Sequence, residues 1–204
     1  MNIAILGSSF DPPHNGHLEI AKSILRSKIA QKVILMPTYV HPFGKKMTPF
    51  QHRLTMAKLL EEEKIQVSDL EIKKNSTSYS IDTLKALQKL FPKDKFVWII
   101  GSDNINDFTK WKDWQEIIEE FGLIVVPRYP ENSPRRSRFA TPPRWLERLL
   151  GGESRNIIVL TKKNFSPIDI SSSEIRKRVK QGKSISLMVP KEIEKYIIKH
   201  GLYL

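Results

Sequence analysis

The sequence predicts an α/β fold, a doubly wound and mostly parallel sheet followed by a small helical C-terminal part. Short apolar runs, typical of strands buried on both faces, alternate with amphipathic segments at helical spacing. Several of these runs end in small or turn-forming residues, at the edge where open α/β sheets bind ligands. The predicted strands are residues 2–6, 32–36, 65–68, 95–100, 123–126 and 156–160.

Composition narrows the class of protein. The chain has 204 residues, 40% of them apolar, which is enough for one sizeable core. We therefore expect a single domain over residues 1–204, with an α/β core at 1–165 and a helical C-terminal subdomain at 166–204. No apolar run approaches the roughly 18 residues of a membrane helix, so we expect a cytoplasmic protein without a membrane partner. The lack of cysteine excludes disulfides and thiolate metal sites.

The net charge of +12 is spread unevenly along the chain. Residues 61–127 hold nine basic and thirteen acidic side chains, a net −4, so the remaining segments together hold +16. The basic excess coincides with the turn after the first strand and with the serine run at 171–173. Polyanionic substrates would explain part of it, and a nucleic-acid-binding module is the alternative without catalysis.

The first predicted strand leads into a turn of small residues, Gly7-Ser8-Ser9, and then into a helix at about residues 17–27. Backbone N–H groups in such a turn and at a helix start lack internal partners, so they form an anion site. His14 and His17 are three positions apart on one face and can reach the same phosphoryl oxygen. The pattern favours phosphoryl or nucleotidyl chemistry.

Two other interpretations of these histidines are open. Pro12-Pro13 could simply start the helix, which would leave both histidines as ordinary polar residues. Zinc ligation would need further ligands at suitable spacing, and the remaining histidines are His41, His52 and His200. The stretch matches neither the Walker A loop nor the Gly-x-Gly-x-x-Gly dinucleotide fingerprint.

The second strand ends at Pro37, and two strands joined by a helix predict a right-handed crossover with the turn at the carboxyl end of the first strand. In the following loop at 38–49, Lys45 and Lys46 could hold phosphates as point charges or belong to an ordinary turn. The next segment follows helical spacing, and there we expect Arg53 to face solvent.

Two local patterns follow the third strand. The short apolar run at 70–72 could extend that strand after a kink. A helix is expected at about 80–90, and Ser78 or Ser80 can cap it and leave N–H groups for an anion.

The clearest central strand, 95–100, ends in Gly101-Ser102-Asp103 on the predicted ligand side. Asp103 could accept hydrogen bonds from a ribose or an adenine amine, or it could cap a helix. Trp111 and Trp114, which are three positions apart, are expected to be half-buried aromatics.

The last third of the chain contains an irregular segment and two helices. Residues 128–155 are rich in proline, serine and arginine, and we expect a mobile loop there. Ser171-Ser172-Ser173-Glu174 has the form of a helix start, next to Arg176. A final helix is predicted to open at Pro190 and close at Gly201.

The stretch from Phe10 to His17 resembles the (H/T)xGH signature of the nucleotidyltransferase superfamily. Within it, the chain is most similar to bacterial nicotinate-nucleotide adenylyltransferases, and the likeness extends nearly end to end. Further matching segments begin at Ser78, Ile100, Val125, Ile168 and Val189, and a further match is Trp111. The resemblance implies a Rossmann-like fold, ATP and nicotinate mononucleotide as substrates, nicotinate adenine dinucleotide and pyrophosphate as products, and Mg²⁺ that arrives with ATP rather than on a protein metal site.

The resemblance also implies roles for individual residues. The catalytic residues would be His14, His17 and Arg176. The ATP site would consist of Gly7, Ser8, Ser9, Phe10, His14, His17, Gly101, Asp103, Ile170, Ser171, Ser172 and Arg176. The mononucleotide site would consist of Ser9, Lys45, Ser78, Tyr79, Ser80, Trp111 and Arg128.

The sequence departs from the family pattern at two places. His41-Pro42-Phe43-Gly44 replaces a common Pro-Pro-His, and Lys112 stands where an aromatic is often found. Nicotinamide mononucleotide and phosphopantetheine are alternative acceptors, although the segments around Tyr79 and Trp111 favour a pyridine. A phosphate-hydrolysing metalloenzyme is a further alternative. We expect no specific nucleic-acid partner and leave a homo-oligomer open.

Overall fold

The computed structural model describes residues 1–127, 156–160 and 170–204. In the first part, strands and helices alternate as the apolar pattern predicts. The elements are β1 (Asn2–Ser8), α1 (Asn15–Arg26), β2 (Lys32–Pro37), α2 (Phe50–Lys58) and β3 (Ile65–Val67). The crossovers β1–α1–β2 and β2–α2–β3 are therefore built from consecutive elements, as in other parallel sheets.

The second part again alternates helices with strands. The elements are α3 (Leu70–Lys74), α4 (Ser80–Leu90), β4 (Lys95–Gly101), a 3₁₀ helix (Ile105–Lys110), α5 (Trp114–Glu116) with a π turn (Ile117–Phe121), β5 (Leu123–Val126) and β6 (Ile157–Val159). The bounds of α4 agree with the predicted helix.

All six described strands pair in parallel, in the order β3-β2-β1-β4-β5-β6. Along the chain, β2 and β3 follow β1 on one side of the sheet, and β5 and β6 follow β4 on the other side. Such a switch point leaves a crevice outside the carboxyl ends of the two central strands, here at Ser8 and Gly101. The predicted α/β fold is confirmed, and the described strands are wholly rather than mostly parallel.

The sheet lies between two apolar layers, because successive strand residues point to opposite faces. In β1, Ala4 and Leu6 belong to the cluster that contains the buried residues of α1 and α2. Ile3 and Ile5 belong to the opposite cluster, with the buried residues of α4. Both faces of the strands are therefore covered, which explains their continuous apolar runs.

Two C-terminal helices, α6 (Ser172–Lys180) and α7 (Lys191–Lys199), join the first of these layers. Their buried residues are Ile175, Ile193 and Ile197. Pro190 precedes α7, and Gly201 follows it at a φ of +57°, so the predicted start and end of this helix are confirmed. The expected domain division at 165/166 and the expected loop at 128–155 lie outside the described residues.

Two predictions about the first half were wrong. Leu70–Lys74 is a short helix, not an extension of β3: the Ser68 Oγ accepts a bond from Leu70 N at 3.2 Å, and Glu71 turns inward to Thr83. A run of three apolar-spaced residues fits either structure, so tertiary contacts decide. Arg53 does not face solvent; its side chain is 1% exposed. No helix in the described ranges is long and apolar enough to cross a membrane, and the cytoplasmic location stays a prediction.

Candidate active site

A cavity of about 900 Å³ opens at the carboxyl ends of β1 and β4. Its lining comes from the turn after β1, the loop after β2, the start of α4 and the segment after β4. The lining residues are Gly7, Ser8, Ser9, Thr38, His41, Pro42, Phe43, Lys45, Ser78, Tyr79, Ser80, Asp103, Asn104, Asp107, Lys110, Trp111 and Lys112. A cleft of about 70 Å³, also lined by His17 and Gly101, shares Gly7, Ser8, Asn104 and Trp111 with this cavity.

The turn after β1 is shaped by packing beneath it. A Cβ at Gly7 would lie 2.3 Å from Cζ2 of Trp98, so only glycine lets the backbone lie on that indole. Phe10 is fully buried and has a φ of +48°, which reverses the chain toward α1. Residues 9–13, here called the phosphate loop, are therefore held between the sheet and the start of α1.

His14 and His17 cap α1 reciprocally. The Nδ1 of His14 accepts a bond from Gly16 N at 3.1 Å, and the Nδ1 of His17 accepts a bond from His14 N at 3.2 Å. The ring proton of each neutral imidazole is thus on Nε2, an assignment made from the hydrogen-bond network. The Nε2 of His17 lies 3.3 Å from Ser8 Oγ, at the small cleft.

Helix α6 touches the phosphate loop from the other side. Ser171 caps this helix through Glu174 N at 3.1 Å, as the serine run predicts. Ser172 Oγ donates to Pro12 O at 2.8 Å, and Arg176 Nη1 donates to Asp11 O at 2.7 Å. The prediction that the C-terminal part brings Arg176 over the end of the first strand is confirmed.

Two cations, Lys45 and Arg53, contact Ser9, and a third, Arg176, contacts Asp11 in the same loop. Lys45 Nζ donates to Ser9 Oγ at 3.3 Å. Burial lowers the pKa of Lys45, and the positive charges of Arg176 and Arg53 lower it further, while Asp11 opposes them. Cations grouped in this way would favour an anion beside Ser9.

The end of the cavity away from Ser9 is lined by Tyr79 and Trp111, and the start of α4 at this end has no side-chain cap. Ser78 and Ser80 were predicted as caps of α4, but the N-cap is Tyr79 and no side chain caps the helix. The Ser78 hydroxyl instead accepts a bond from Tyr39 N at 2.9 Å, because the loop after β2 packs against it. The N-terminal end of α4 therefore meets the cavity at Ser80 without a competing side-chain acceptor.

Lys112 is exposed and pairs with an acidic side chain of α4. Its Nζ contacts both carboxylate oxygens of Asp82, at 2.9 and 3.0 Å, and lies 5.2 Å from the centroid of the Tyr79 ring. The bond to Asp82 raises the pKa of Lys112, so the ammonium group stays charged at neutral pH. Trp111 is the aromatic neighbour on this side, with its ring 5.2 Å from that of Phe108.

A family model described as cytidylyltransferase-like matches residues 5–178. The chain belongs to the cytidylyltransferase-like family. Two curated relatives named probable nicotinate-nucleotide adenylyltransferase are each 35% identical to it. The protein of Caldicellulosiruptor bescii is matched over 100% of this chain and 99% of its own length, and that of Buchnera aphidicola over 98% and 95%. The predicted likeness to nicotinate-nucleotide adenylyltransferases is confirmed.

Experimental structures show the same fold. The Plasmodium falciparum nicotinic acid mononucleotide adenylyltransferase complexed with NaAD has a TM-score of 0.77 at 24% identity, over 99% of this chain and 97% of that one. The same Plasmodium enzyme complexed with APC has a TM-score of 0.75 at 24% identity, over 99% and 96%. Both solved structures therefore have the fold that the described residues show.

The residues that the resemblance singles out fall into two sets. Those that line the large cavity or the small cleft are Gly7, Ser8, Ser9, His17, Lys45, Ser78, Tyr79, Ser80, Gly101, Asp103 and Trp111. Those that line neither are Phe10 within the phosphate loop, His14 at the start of α1, and Ile170, Ser171, Ser172 and Arg176 before or on α6. Arg128 lies outside the described residues. Asp103 is not a helix cap, because the 3₁₀ helix starts after Asn104 without a side-chain cap.

Arg53 was missed as part of the site. Its Nη1 donates to Ser9 O at 2.7 Å and to Thr38 O at 2.8 Å, and its Nε donates to Thr48 O at 2.8 Å. It thereby joins the phosphate loop to both ends of the loop after β2. A signal existed in the sequence, since Arg53 follows Phe50 by three positions and so lies on the apolar face of α2.

Metal ligation is not prepared among the described residues. They contain no group of three or more histidines, aspartates or glutamates that could hold an ion.

A second cavity of about 530 Å³ lies at the amino ends of the strands, and its lining includes Met1, Lys28, Lys32 and Lys64. None of its residues belongs to the motifs, and it lies at the edge opposite the switch point.

Proposed function

We propose that this protein transfers the adenylyl group of ATP to nicotinate mononucleotide, giving nicotinate adenine dinucleotide and pyrophosphate. The observation that supports this best is one cavity that joins a cationic phosphate turn at Ser9 to an aromatic end at Tyr79 and Trp111. The cavity volume of about 900 Å³ lies in the range typical of small-molecule binding sites. The full-length likeness to relatives of that name points to the same reaction.

The reaction needs alignment and charge compensation more than proton transfer. A phosphate oxygen of the mononucleotide would form a bond to the α-phosphorus of ATP, and the bond to the bridging oxygen would break and release pyrophosphate. A phosphate monoester has its second pKa near 6, so at neutral pH it attacks without a general base. The protein then has to hold two anions in line and spread the developing charge.

We assign the phosphate contacts from position. The turn at Gly7, Ser8 and Ser9, together with His17 Nε2–H, faces the place where ATP phosphates would lie. Lys45 would neutralise phosphate charge beside Ser9, and Arg176 would meet the leaving group. Mg²⁺ would enter with ATP as part of the substrate and would neutralise part of its phosphate charge.

The acceptor is proposed from the helix end at Ser80. An uncapped helix N-terminus favours an anion, so the nicotinate carboxylate should bind better there than the neutral amide of nicotinamide. A charge-assisted hydrogen bond contributes about 1.5 to 3 kcal/mol, which corresponds to at least about a tenfold preference in kcat/KM.

A panel of acceptors tests the proposal. ATP with Mg²⁺ is combined with nicotinate mononucleotide, nicotinamide mononucleotide or phosphopantetheine, and pyrophosphate and inorganic phosphate are measured separately. We expect pyrophosphate with nicotinate mononucleotide and a ratio of at least about ten over the amide. Pyrophosphate release with phosphopantetheine, but with neither mononucleotide, would identify phosphopantetheine as the acceptor. Inorganic phosphate without a dinucleotide would indicate hydrolysis, and retained DNA at physiological salt without pyrophosphate would indicate a nucleic-acid module.

A variant series tests acid recognition at the ring end. Lys112→Met leaves the Asp82 carboxylate without its cation near the start of α4, so the acid-to-amide ratio should fall severalfold, as the loss of an exposed ion pair predicts. Adding Asp82→Asn should restore the ratio. Lys110→Met removes a lysine paired with Asp107 on the same cavity wall and is the matched control. An unchanged ratio in Lys112→Met would place the pair outside acid recognition.

A further inference from the structure

Asp11 is a buried carboxylate at the centre of the phosphate loop. Its side chain is 3% exposed, and both carboxylate oxygens have a donor from a distant segment. Tyr203 Oη donates to Oδ1 at 2.8 Å, and Thr48 N donates to Oδ2 at 3.2 Å. A buried carboxylate without such donors would be strongly unfavourable, so these contacts fix its position.

Tyr203 lies just after α7 and reaches this carboxylate across 192 residues of sequence. Gly201 turns the chain back after the helix, and Tyr203 itself has a φ of +69°, a left-handed conformation that is strained for a tyrosine. Burial, followed by the neighbouring Asp11 charge, raises the pKa of Tyr203 well above its ordinary value. The phenol therefore stays protonated and donates a hydrogen bond to the Asp11 carboxylate.

Asp11 also connects the Tyr203 phenol to Arg176. The main-chain oxygen of Asp11 accepts the bond from Arg176 Nη1 at 2.7 Å, while Nη2 lies 3.2 Å from Ser173 Oγ. A shift of the Asp11 main chain would therefore move the guanidinium as well as the loop. Small displacements of this kind matter, since about 1 Å of misplacement can cost about a hundredfold in rate.

We propose that Tyr203 is a positioning residue for the nucleotide-phosphate site and acts through Asp11. The phenol holds the carboxylate, the carboxylate holds the phosphate loop against Thr48, and the Asp11 carbonyl holds Arg176. This role rests on the proposed function for its kinetic consequences. It differs from simple docking of the C-terminal segment, which Tyr203 could serve through its ring alone.

Tyr203→Phe removes the hydroxyl and keeps the ring. We expect kcat/KM for ATP to fall about tenfold to a hundredfold, the range for a lost hydrogen bond to a charged group, with KM for the mononucleotide within about twofold of wild type. Tyr196→Phe is the matched control: this hydroxyl, on α7, bonds to His52 Nδ1 at 3.0 Å rather than to the Asp11 carboxylate. Tyr196→Phe should keep kcat/KM for ATP within about twofold of wild type. It should change the Tm about as much as Tyr203→Phe does.

A double-mutant cycle with Asp11→Asn identifies the path. If the phenol acts through the carboxylate, Tyr203→Phe should change kcat/KM for ATP by less than about threefold in the Asp11→Asn background. Effects that multiply in full, an unchanged kcat/KM in Tyr203→Phe, or an equal loss in Tyr196→Phe would each overturn the proposal.

Calorimetric titration with Mg·ATP separates this inference from the proposed function. Wild-type protein that binds ATP but releases no pyrophosphate with any acceptor would refute the proposed reaction alone. In that case the inference is judged by the Kd for ATP, which should be weaker in Tyr203→Phe and unchanged in Tyr196→Phe. Equal Kd values in wild type and Tyr203→Phe, together with equal turnover, would refute the inference alone.

Discussion

Replacing His17 by asparagine separates the two contacts that this side chain makes. Its Nδ1 accepts the bond from His14 N and closes the first turn of α1, whereas its Nε2 lies at the cleft beside Ser8 Oγ. The shorter asparagine can place its carbonyl oxygen near the Nδ1 position but has no atom near that of Nε2. His17→Asn should therefore keep the helix cap and lose the donor toward the phosphates.

The size of the effect follows from these contacts. Loss of one preorganised donor to transition-state charge typically lowers kcat by about 10²- to 10³-fold, roughly 2.7 to 4 kcal/mol. The retained cap avoids most of the roughly 1 kcal/mol that a lost N-cap costs, so the Tm should fall by less than about 4 °C in a chain of this size. Alanine would lose both contacts and also leave space beside the buried ring of Phe10, which lies 4.7 Å away between centroids.

The assay is pyrophosphate release from Mg·ATP and nicotinate mononucleotide at saturation, with the Tm measured on the same samples. His52→Asn is the control, because this histidine bonds to Tyr196 and lines neither the large cavity nor the cleft. It should keep kcat within about twofold of wild type. A folded His17→Asn protein with kcat within about fivefold of wild type would remove His17 from transition-state stabilisation.

Three further changes test other parts of the site. Arg176→Ala should lower kcat/KM for ATP at least about tenfold, and an unchanged value would place Arg176 outside the ATP site. Arg53→Lys keeps the charge but cannot reach three carbonyl groups, so we expect a loss of about 2 to 4 kcal/mol in the free energy of unfolding; a Tm within about 2 °C of wild type would contradict this. Burial raises the pKa of Glu71 above its ordinary value, so the folded protein holds this proton more tightly than the unfolded chain does. Wild type should therefore lose stability relative to Glu71→Gln as pH rises from about 4.5 to 7.5, and a constant difference in unfolding free energy between the two proteins would contradict the assignment.

Local patterns were sufficient wherever one element determined the outcome. The strands are buried on both faces, so their apolar runs are continuous and visible in the sequence. The predicted helix at 80–90 is α4, and Ser171 caps α6 through a contact three residues away. Interactions of this range depend on the neighbouring residues alone.

Predictions failed where a polar side chain had a distant partner available. Ser78 is a plausible cap for α4 by sequence, yet its hydroxyl bonds to Tyr39 N, 39 residues away. Arg53 resembles a surface residue until the carbonyl groups of Ser9 and Thr38 are brought around it by the sheet. A hydrogen-bonding group takes the best-placed partner in the folded chain, and the sequence does not show which segments will be adjacent.

The sequence by itself therefore determined the α/β class, the turn after the first strand, the family and the proposed reaction, because these depend on short motifs and on hydrophobic periodicity. Only the tertiary structure decided that Arg53 points inward, that Lys112 pairs with Asp82, and that Tyr203 reaches Asp11. Each of these contacts joins segments that lie far apart in the chain. Their hydrogen-bond geometry exists only after the sheet and its two layers of helices have assembled, and for Arg53 and Asp11 the charge is also desolvated there.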